Sequence, residues 1–257
     1  MSTPVKTLIG KFVWHENYSG DVEAAKRFYS ELFGWDFETW KPGEADYAMV
    51  KVDDRMHAGF MTVQQEGAPA HWLGIVEVEN CDETARNAAA VGGTVHAGPF
   101  DIPDVGRFAV IADPQGAVLA AMASESDSHE QPAAEGVFVW DELHTSDIED
   151  AKRFYGEVFG WGSEDMDMGE AGTYTLFKRA GGPDPGGGMQ TADDPTLPHW
   201  LVYVYADDID ATASRAGELG GAVLFGPEEA PGVGRLAILQ DPQSAVFGIF
   251  KPAPGQA

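Results

Sequence analysis

The sequence has one cysteine, Cys81, in 257 residues, so it cannot close an intrachain disulfide and suits a reducing compartment. Basic residues are scarce: 16 Lys and Arg stand against 42 Asp and Glu, a net charge of −26. Such a surface repels phosphate backbones and anionic lipid, which argues against nucleic-acid binding and leaves a solvated acidic face or attraction of cationic ligands. No apolar run is long enough to cross a bilayer, and Met1 to Gly10 lack the apolar stretch of a signal peptide. The glycine-rich segment Gly181 to Gly188 lacks the Gly-Lys-Ser/Thr ending of a phosphate loop and reads as a flexible surface loop. These absences predict a cytoplasmic chain with no membrane and no nucleic-acid partner.

What the chain does contain is a duplication. Phe12-Val13-Trp14, Asp21, Lys26-Arg27-Phe28-Tyr29 and Phe33-Gly34-Trp35 return 126 residues later as Phe138-Val139-Trp140, Asp147, Lys152-Arg153-Phe154-Tyr155 and Phe159-Gly160-Trp161. His71-Trp72, Gly92-Gly93, Gly106-Arg107 and Asp113-Pro114-Gln115 recur 128 residues on, as His199-Trp200, Gly220-Gly221, Gly234-Arg235 and Asp241-Pro242-Gln243. The repeat sets one domain at residues 1–123 and a second at 137–250. Between them, 124–136 is polar and acidic, holds Pro132 and reads as a linker, while 251–257 reads as a frayed tail.

Local signals repeat within each half. Lys11 to Tyr18 reads as a strand, Asp21 offers an N-cap, and Val22, Ala25, Phe28, Tyr29, Leu32 and Phe33 recur at helical spacing until Gly34 stops the helix. Trp35–Trp40, Tyr47–Val52 and Ala58–Val63 read as strands. From His71 the plan recurs: a strand to Val78, a helix over Asp82–Val91 ended by Gly92-Gly93, then strands over Thr94–Ala97, Arg107–Ala112 and Ala117–Ala123. Asp113-Pro114-Gln115-Gly116 is a structural turn between the last two. The predicted fold class is α+β, with four βαβββ units, two in each half.

Paired βαβββ units, a helix ending in Phe-Tyr…Phe-Gly-Trp and an Asp-Pro-Gln turn before the last strand resemble the vicinal oxygen chelate superfamily. That group includes glyoxalase I, extradiol dioxygenases, fosfomycin-modifying transferases and bleomycin-resistance proteins. The resemblance implies two glyoxalase-like domains, each a curled mixed sheet enclosing a cup with helices outside. It also implies metal ligands, His or Glu, at fixed strand positions, but those positions here hold Trp14 and Trp140, Leu73 and Leu201, and Ala120 and Gly248. The strand around Phe60 and Met189, where a further Glu can sit, has no carboxylate. Indole and hydrocarbon supply no ligand for a divalent ion. The expectation is therefore no metal and no cofactor, with an apolar, aromatic cup. No motif marks the flavin or haem that a metal-free hydroxylase would need.

Strand alternation carried from Trp14 puts Glu16 and Tyr18 on the cup face, and Trp140, Glu142 and His144 in the second half. The same parity adds His71, Leu73, Ile75 and Glu77, then His199, Leu201, Tyr203 and Tyr205. A buried carboxylate must be paired, protonated or exposed. Glu16 and Glu142 read either as hydrogen-bonded to Arg107, Arg235 or backbone, or as acid–base groups partnered by His71 and His199. Those histidines precede strands, where an imidazole packs or caps as readily as it meets a ligand. Glu142, His144 and His199 are also a conceivable substitute metal site. Arg107 and Arg235 read as ion-paired, or as anchors for an anionic ligand group. Trp14 and Trp140 suit stacking on a planar ligand, or core filling, whereas Trp72 and Trp200 fall on the opposite face beneath the helices.

The expected function is a metal-free, monomeric small-molecule-binding protein of the glyoxalase/bleomycin-resistance type, its cups suited to an aromatic or polyketide-like ligand. The alternatives are a metal-independent isomerase, lyase, cyclase or hydratase using Glu/His pairs, then a metal-dependent glyoxalase, dioxygenase or hydroxylase, or purely structural duty with both cups filled.

Overall fold

The structure is a computed structural model, and it describes residues 8–41, 47–52, 55–63, 67–125, 133–169, 172–179, 187–192 and 197–254. The first half runs β1 (Phe12–Ser19), α1 (Val22–Phe33), β2 (Asp36–Trp40), β3 (Tyr47–Val52), β4 (Arg55–Thr62), β5 (His71–Glu77), α2 (Cys81–Ala90), β6 (Thr94–Ile102), β7 (Gly106–Ala112) and β8 (Val118–Ser124). The second runs β9 (Phe138–Thr145), α3 (Ile148–Phe159), β10 (Trp161–Asp167), β11 (Thr173–Arg179), β12 (Gly187–Thr191), β13 (His199–Tyr205), α4 (Ile209–Glu218), β14 (Ala222–Ala230), β15 (Gly234–Gln240) and β16 (Val246–Pro252). These are the four βαβββ units of an α+β fold. The strands form two eight-stranded mixed sheets, ordered β2-β3-β4-β1-β5-β8-β7-β6 and β10-β11-β12-β9-β13-β16-β15-β14. No described helix is long and apolar enough to cross a membrane.

The helix ends follow the sequence signals. Asp21 accepts from the Ala24 amide at 3.0 Å to open α1, and Gly34 closes it at φ 71°, a left-handed position that penalises any Cβ. Asp147 and Gly160 do the same for α3. The strands depart from expectation in places. Strand β6 continues past Ala97 through Gly98-Pro99 to Ile102, because it is an edge strand, where proline's missing N–H costs no ladder bond, and because it bulges between Val95 and Phe100. Gly187 and Gly188 belong to β12 rather than to a loop, and Lys251 and Pro252 finish β16 rather than fraying. Of the expected linker, Ser124 ends β8, and Gly136 is held by the Trp35 indole, whose Nε1 donates to its carbonyl at 2.8 Å. Pro132, with the rest of 126–132, and residues 181–186 and 255–257 lie outside the described residues.

The chain divides into two compact units that are a different partition from the sequence repeat. One comprises Met1–Val13, Gly74–Glu130 and Asp141–Trp200, the other Trp14–Leu73, Gln131–Trp140 and Leu201–Ala257. Each therefore combines helices from both halves around its own core. In the second unit Tyr29 is fully buried, and its ring meets Phe28, Trp35, Phe60 and Phe247. Its hydroxyl accepts from Trp72 Nε1 at 2.9 Å and donates to Asp241 Oδ2 at 3.2 Å. The other Asp241 oxygen accepts from the amides of Gln243 and Ala245. Gln243 then brackets the start of α1, accepting from the Asp21 amide at 2.7 Å and donating to the Asp21 carbonyl at 2.8 Å.

The first unit repeats this with Trp200, Tyr155 and Asp113, at 3.0 and 3.1 Å, while Gln115 accepts from the amides of Ser146 and Asp147 and donates to the Asp147 carbonyl. So the Asp-Pro-Gln turns are structural, as expected, and each one brackets a helix start from the other half of the sequence. Burial lifts the carboxyls of Asp113 and Asp241 above the usual carboxylate range, against the pull of the turn amides.

The second unit also buries His57 and Asn17, whose side chains have no hydrogen-bond partner among the described residues. Burial, and then the neighbouring His15, push the His57 imidazole down to about 3.

Two substitutions test these cores. Tyr155→Phe leaves the Trp200 N–H and an Asp113 oxygen unpaired in a dry interior, and is expected to cost about 2–4 kcal/mol. By calorimetry that is a fall in Tm of roughly 5–12 °C, while Tyr205→Phe, near the surface, stays within about 2 °C. His57→Leu acts on the acid limb. An unfolded imidazole titrates near 6.5 and the folded one near 3, so the unfolded chain binds the extra proton and wild-type stability drops as pH falls through that window. Between pH 7 and about pH 4 the Tm of His57→Leu is expected to fall less than that of wild type; parallel curves would refute the assignment.

Candidate functional site

Alternation along β1 places Trp14, Glu16 and Tyr18 on one face, with Glu16 only 6% exposed. Tyr47 of β3 reaches over Gly59, which is the register partner of Glu16 on β4. A Cβ on Gly59 would overlap the Tyr47 hydroxyl, so the close approach requires glycine there. Trp14 Nε1 donates to the Tyr47 oxygen at 3.0 Å, and the Tyr47 hydroxyl donates to Glu16 Oε2 at 2.9 Å. Glu16 Oε1 has no partner among the described residues. The Tyr18 ring stacks on His71 at 5.0 Å between centroids and 13° between planes. His71 Nδ1 lies 2.9 Å from the Pro69 carbonyl, so that nitrogen carries the hydrogen and Nε2 presents a lone pair. Burial raises the Glu16 carboxyl to about 8, against the hydrogen bonds from Tyr47 and Trp14. Burial, then Glu16, lifts the Tyr18 phenol to about 12.

The second half builds a related cluster with different groups. The Tyr174 hydroxyl donates to Glu142 Oε2 at 2.9 Å across Gly188, the register partner of Glu142. Here Oε1 is served: Gln190 Nε2 donates at 3.0 Å, and His144 Nε2 lies at 2.8 Å. The His144 ring stacks on His199 at 4.7 Å and 15°. His199 Nδ1 meets the Leu197 carbonyl at 2.9 Å, which fixes its tautomer as in His71. Desolvation lowers the His199 imidazole below its ordinary value, against the pull of that carbonyl.

Glu142, His144 and His199 thus come together but do not fit a metal. Imidazole lone pairs lie in the ring plane, and two nearly parallel planes do not converge on one ion. Among the described residues no group of three or more His, Cys, Asp or Glu is placed to hold a metal ion.

The remaining candidates are engaged elsewhere. Arg107 grips Asp82 through Nε and Nη2 at 2.5 and 3.0 Å and Asp101 through Nη1 at 2.7 Å; Arg235 grips Asp210 at 2.8 and 2.7 Å. These pairs lie on the first turns of α2 and α4, so of the alternatives the sequence left open the arginines do not serve Glu16 and Glu142, and tyrosines do. Glu77 accepts from the Ser124 amide and hydroxyl and closes β8. Tyr203 is buried beside Gly248 and Phe250, Tyr205 donates to Asp207, and Trp140 is half-buried on β9. Tyr47, Tyr174 and Gln190 escaped the sequence reading. The tyrosines stand 127 residues apart, between the two repeat offsets, and an alignment of the halves reveals them. Gln190 has no such signal, because Met61 occupies its register position in the first half.

A Glyoxalase/Bleomycin resistance protein/Dioxygenase superfamily profile matches residues 12–120, and a Glyoxalase-like domain profile matches 138–250. The chain is 34% identical over 250 residues to CFP32 of Mycobacterium tuberculosis, named as a candidate glyoxylase, with 95% of each chain covered. It is 32% identical to the anthracycline biosynthesis protein DauV of Streptomyces sp. strain C5, covering 94% of this chain and 93% of that one. The Mn(II)-bound glyoxalase of Novosphingobium aromaticivorans shares the fold at a TM-score of 0.65 and 17% identity, with 94% and 82% covered. The chain belongs to the glyoxalase/bleomycin resistance protein/dioxygenase superfamily.

Proposed function

We propose that this chain is a metal-free binding protein for a planar aromatic, polyketide-like compound, held on the aromatic face of each half. The observation that carries the reading is the repeated ring pair beside a buried glutamate. Tyr18 on His71 and His144 on His199 are each nearly parallel, and one ring of each pair is open to solvent. Flat, part-open stacks of this kind extend naturally onto a planar ligand, with the neighbouring polar atoms fixing its orientation. The likeness to DauV, and to DnrV of Streptomyces peucetius at 30% identity, supports the same ligand class, since both are named for anthracycline biosynthesis. Indole and hydrocarbon at Trp14, Trp140, Leu73, Leu201, Ala120 and Gly248, where the resemblance implies metal ligands, support the metal-free part. We place the activity in the cytoplasm on a single chain, in keeping with the lone cysteine and the duplication.

Proton transfer in the second half is a second reading. His199 Nε2 has an unshared pair beside the Glu142–His144 pair, a geometry that could serve an isomerase, lyase, cyclase or hydratase.

A hydroxyanthraquinone at about 100 times its Kd is expected to add roughly 2.7 kcal/mol and raise Tm by about 5–11 °C. Glu142→Gln separates the readings: a binding protein keeps the shift and converts nothing, while an enzyme keeps the shift and loses turnover. No shift with any fused-ring aromatic would sink both. Metal analysis of protein purified without chelator is expected to find no stoichiometric Fe, Mn, Ni or Zn, and one bound equivalent would overturn the metal-free part.

A further inference from the structure

The two glutamates descend from one ancestral position, yet their Oε1 atoms are in opposite states. In the second half the register pair His144 and Gln190 occupies Oε1 of Glu142. In the first half that register pair is Tyr18 and Met61, and Oε1 of Glu16 is left without a partner. At the other oxygen the Tyr47 hydroxyl, which accepts from Trp14 Nε1, has no acceptor for its own proton among the described residues except Oε2, and it donates there. An acid proton on Glu16 therefore has one place to sit, Oε1, and no acceptor waiting for it there.

We propose that Glu16 works as a neutral carboxylic acid whose Oε1–H donates a hydrogen bond to a ring carbonyl of the bound aromatic compound, and that this donor belongs to the first half alone. The proposal rests on the reading of this face as an aromatic-ligand site, and it narrows the ligand there to one with a carbonyl, such as a quinone or aryl ketone. Glu16 Oε1 is shut from solvent, so the ligand reaches it by displacing the half-buried rings of Trp14, Tyr18 and Tyr47, beside the exposed His71. Two titratable groups face Glu16, Tyr18 on its own strand and Tyr47 on β3, while His71 of β5 stacks on the Tyr18 ring. Among the described residues no cation contacts the Glu16 carboxyl, and burial holds the proton on to about pH 8. Above that pH the carboxylate can only accept, and two oxygen lone pairs would face each other.

The test uses two probes with the same ring system and no titratable group, 9-fluorenone and fluorene, with binding read by tryptophan fluorescence on the full-length chain. At pH 6.5 fluorenone is expected to bind the first-half site about tenfold more tightly than fluorene. The preference is expected to disappear by about pH 9.5, more than a unit above the Glu16 value. Glu16→Gln, which keeps a donor but cannot ionise, should hold the preference at both pH values. Because the pH series needs no variant, a misfolded Glu16→Gln would not remove the test. Equal binding of the two probes at pH 6.5, or a preference unchanged at pH 9.5 in wild type, overturns the carbonyl donor while leaving the aromatic site standing. Failure of both probes to bind at either pH brings down the aromatic-ligand reading and this proposal with it.

Discussion

The hydrogen-bonded series of aspartate, tyrosine and tryptophan at the centre of each compact unit is the constraint on which the rest depends. Asp241, Tyr29 and Trp72 form one series, and Asp113, Tyr155 and Trp200 the other. Each places a carboxyl, a phenol and an indole in an interior where an unpaired polar atom costs far more than a satisfied one returns. That requirement sets the depth at which α1 and α3 sit on their sheets, because the tyrosine must reach both partners at once. It also explains why the Asp-Pro-Gln turn carries an aspartate: one oxygen folds the turn on itself and the other takes the tyrosine proton. Apolar packing supplies the bulk of each core, and these series give it a register.

Duplication copied this scaffold faithfully and left the sites free to diverge. The glycine opposite each glutamate and the tyrosine that passes over it are kept in both halves. What changed is the next register pair along the same strands, Tyr18 with Met61 against His144 with Gln190. Two side chains thus separate a carboxyl held by donors on both oxygens from one held on a single oxygen. The chemistry of each face is set by that pair, while the fold beneath is indifferent to it.

Much of this was legible in the sequence. The caps at Asp21, Gly34, Asp147 and Gly160 are local chemistry and read directly. Alternation placed Trp14, Glu16 and Tyr18 together, and the repeat paired their counterparts. Strand β6 was read short because Gly98-Pro99 breaks a central strand but not an edge one, and edge position is a property of the whole sheet. Gly187 and Gly188 looked like loop because their composition is that of a loop; they lie in a strand because Gly188 makes room for Tyr174. The compact units could not be read at all, since which helix packs on which is decided by long-range contacts such as Gln243 with Asp21. The arginines were ambiguous for a similar reason, until Asp82 and Asp210 were seen opposite them.

The reciprocal bracketing by Gln115 and Gln243 has a consequence for how the chain could be divided. Each glutamine completes the opening turn of a helix that lies in the opposite half of the sequence. Severing the backbone in the connection after Glu125 would therefore not release two independent domains. Either fragment alone would carry two exposed core faces and one helix start stripped of its glutamine, and the two fragments would remain clasped as a non-covalent heterodimer. By the same logic two copies of a single half would offer each other the same complementary faces, a meeting that the duplicated chain makes within itself.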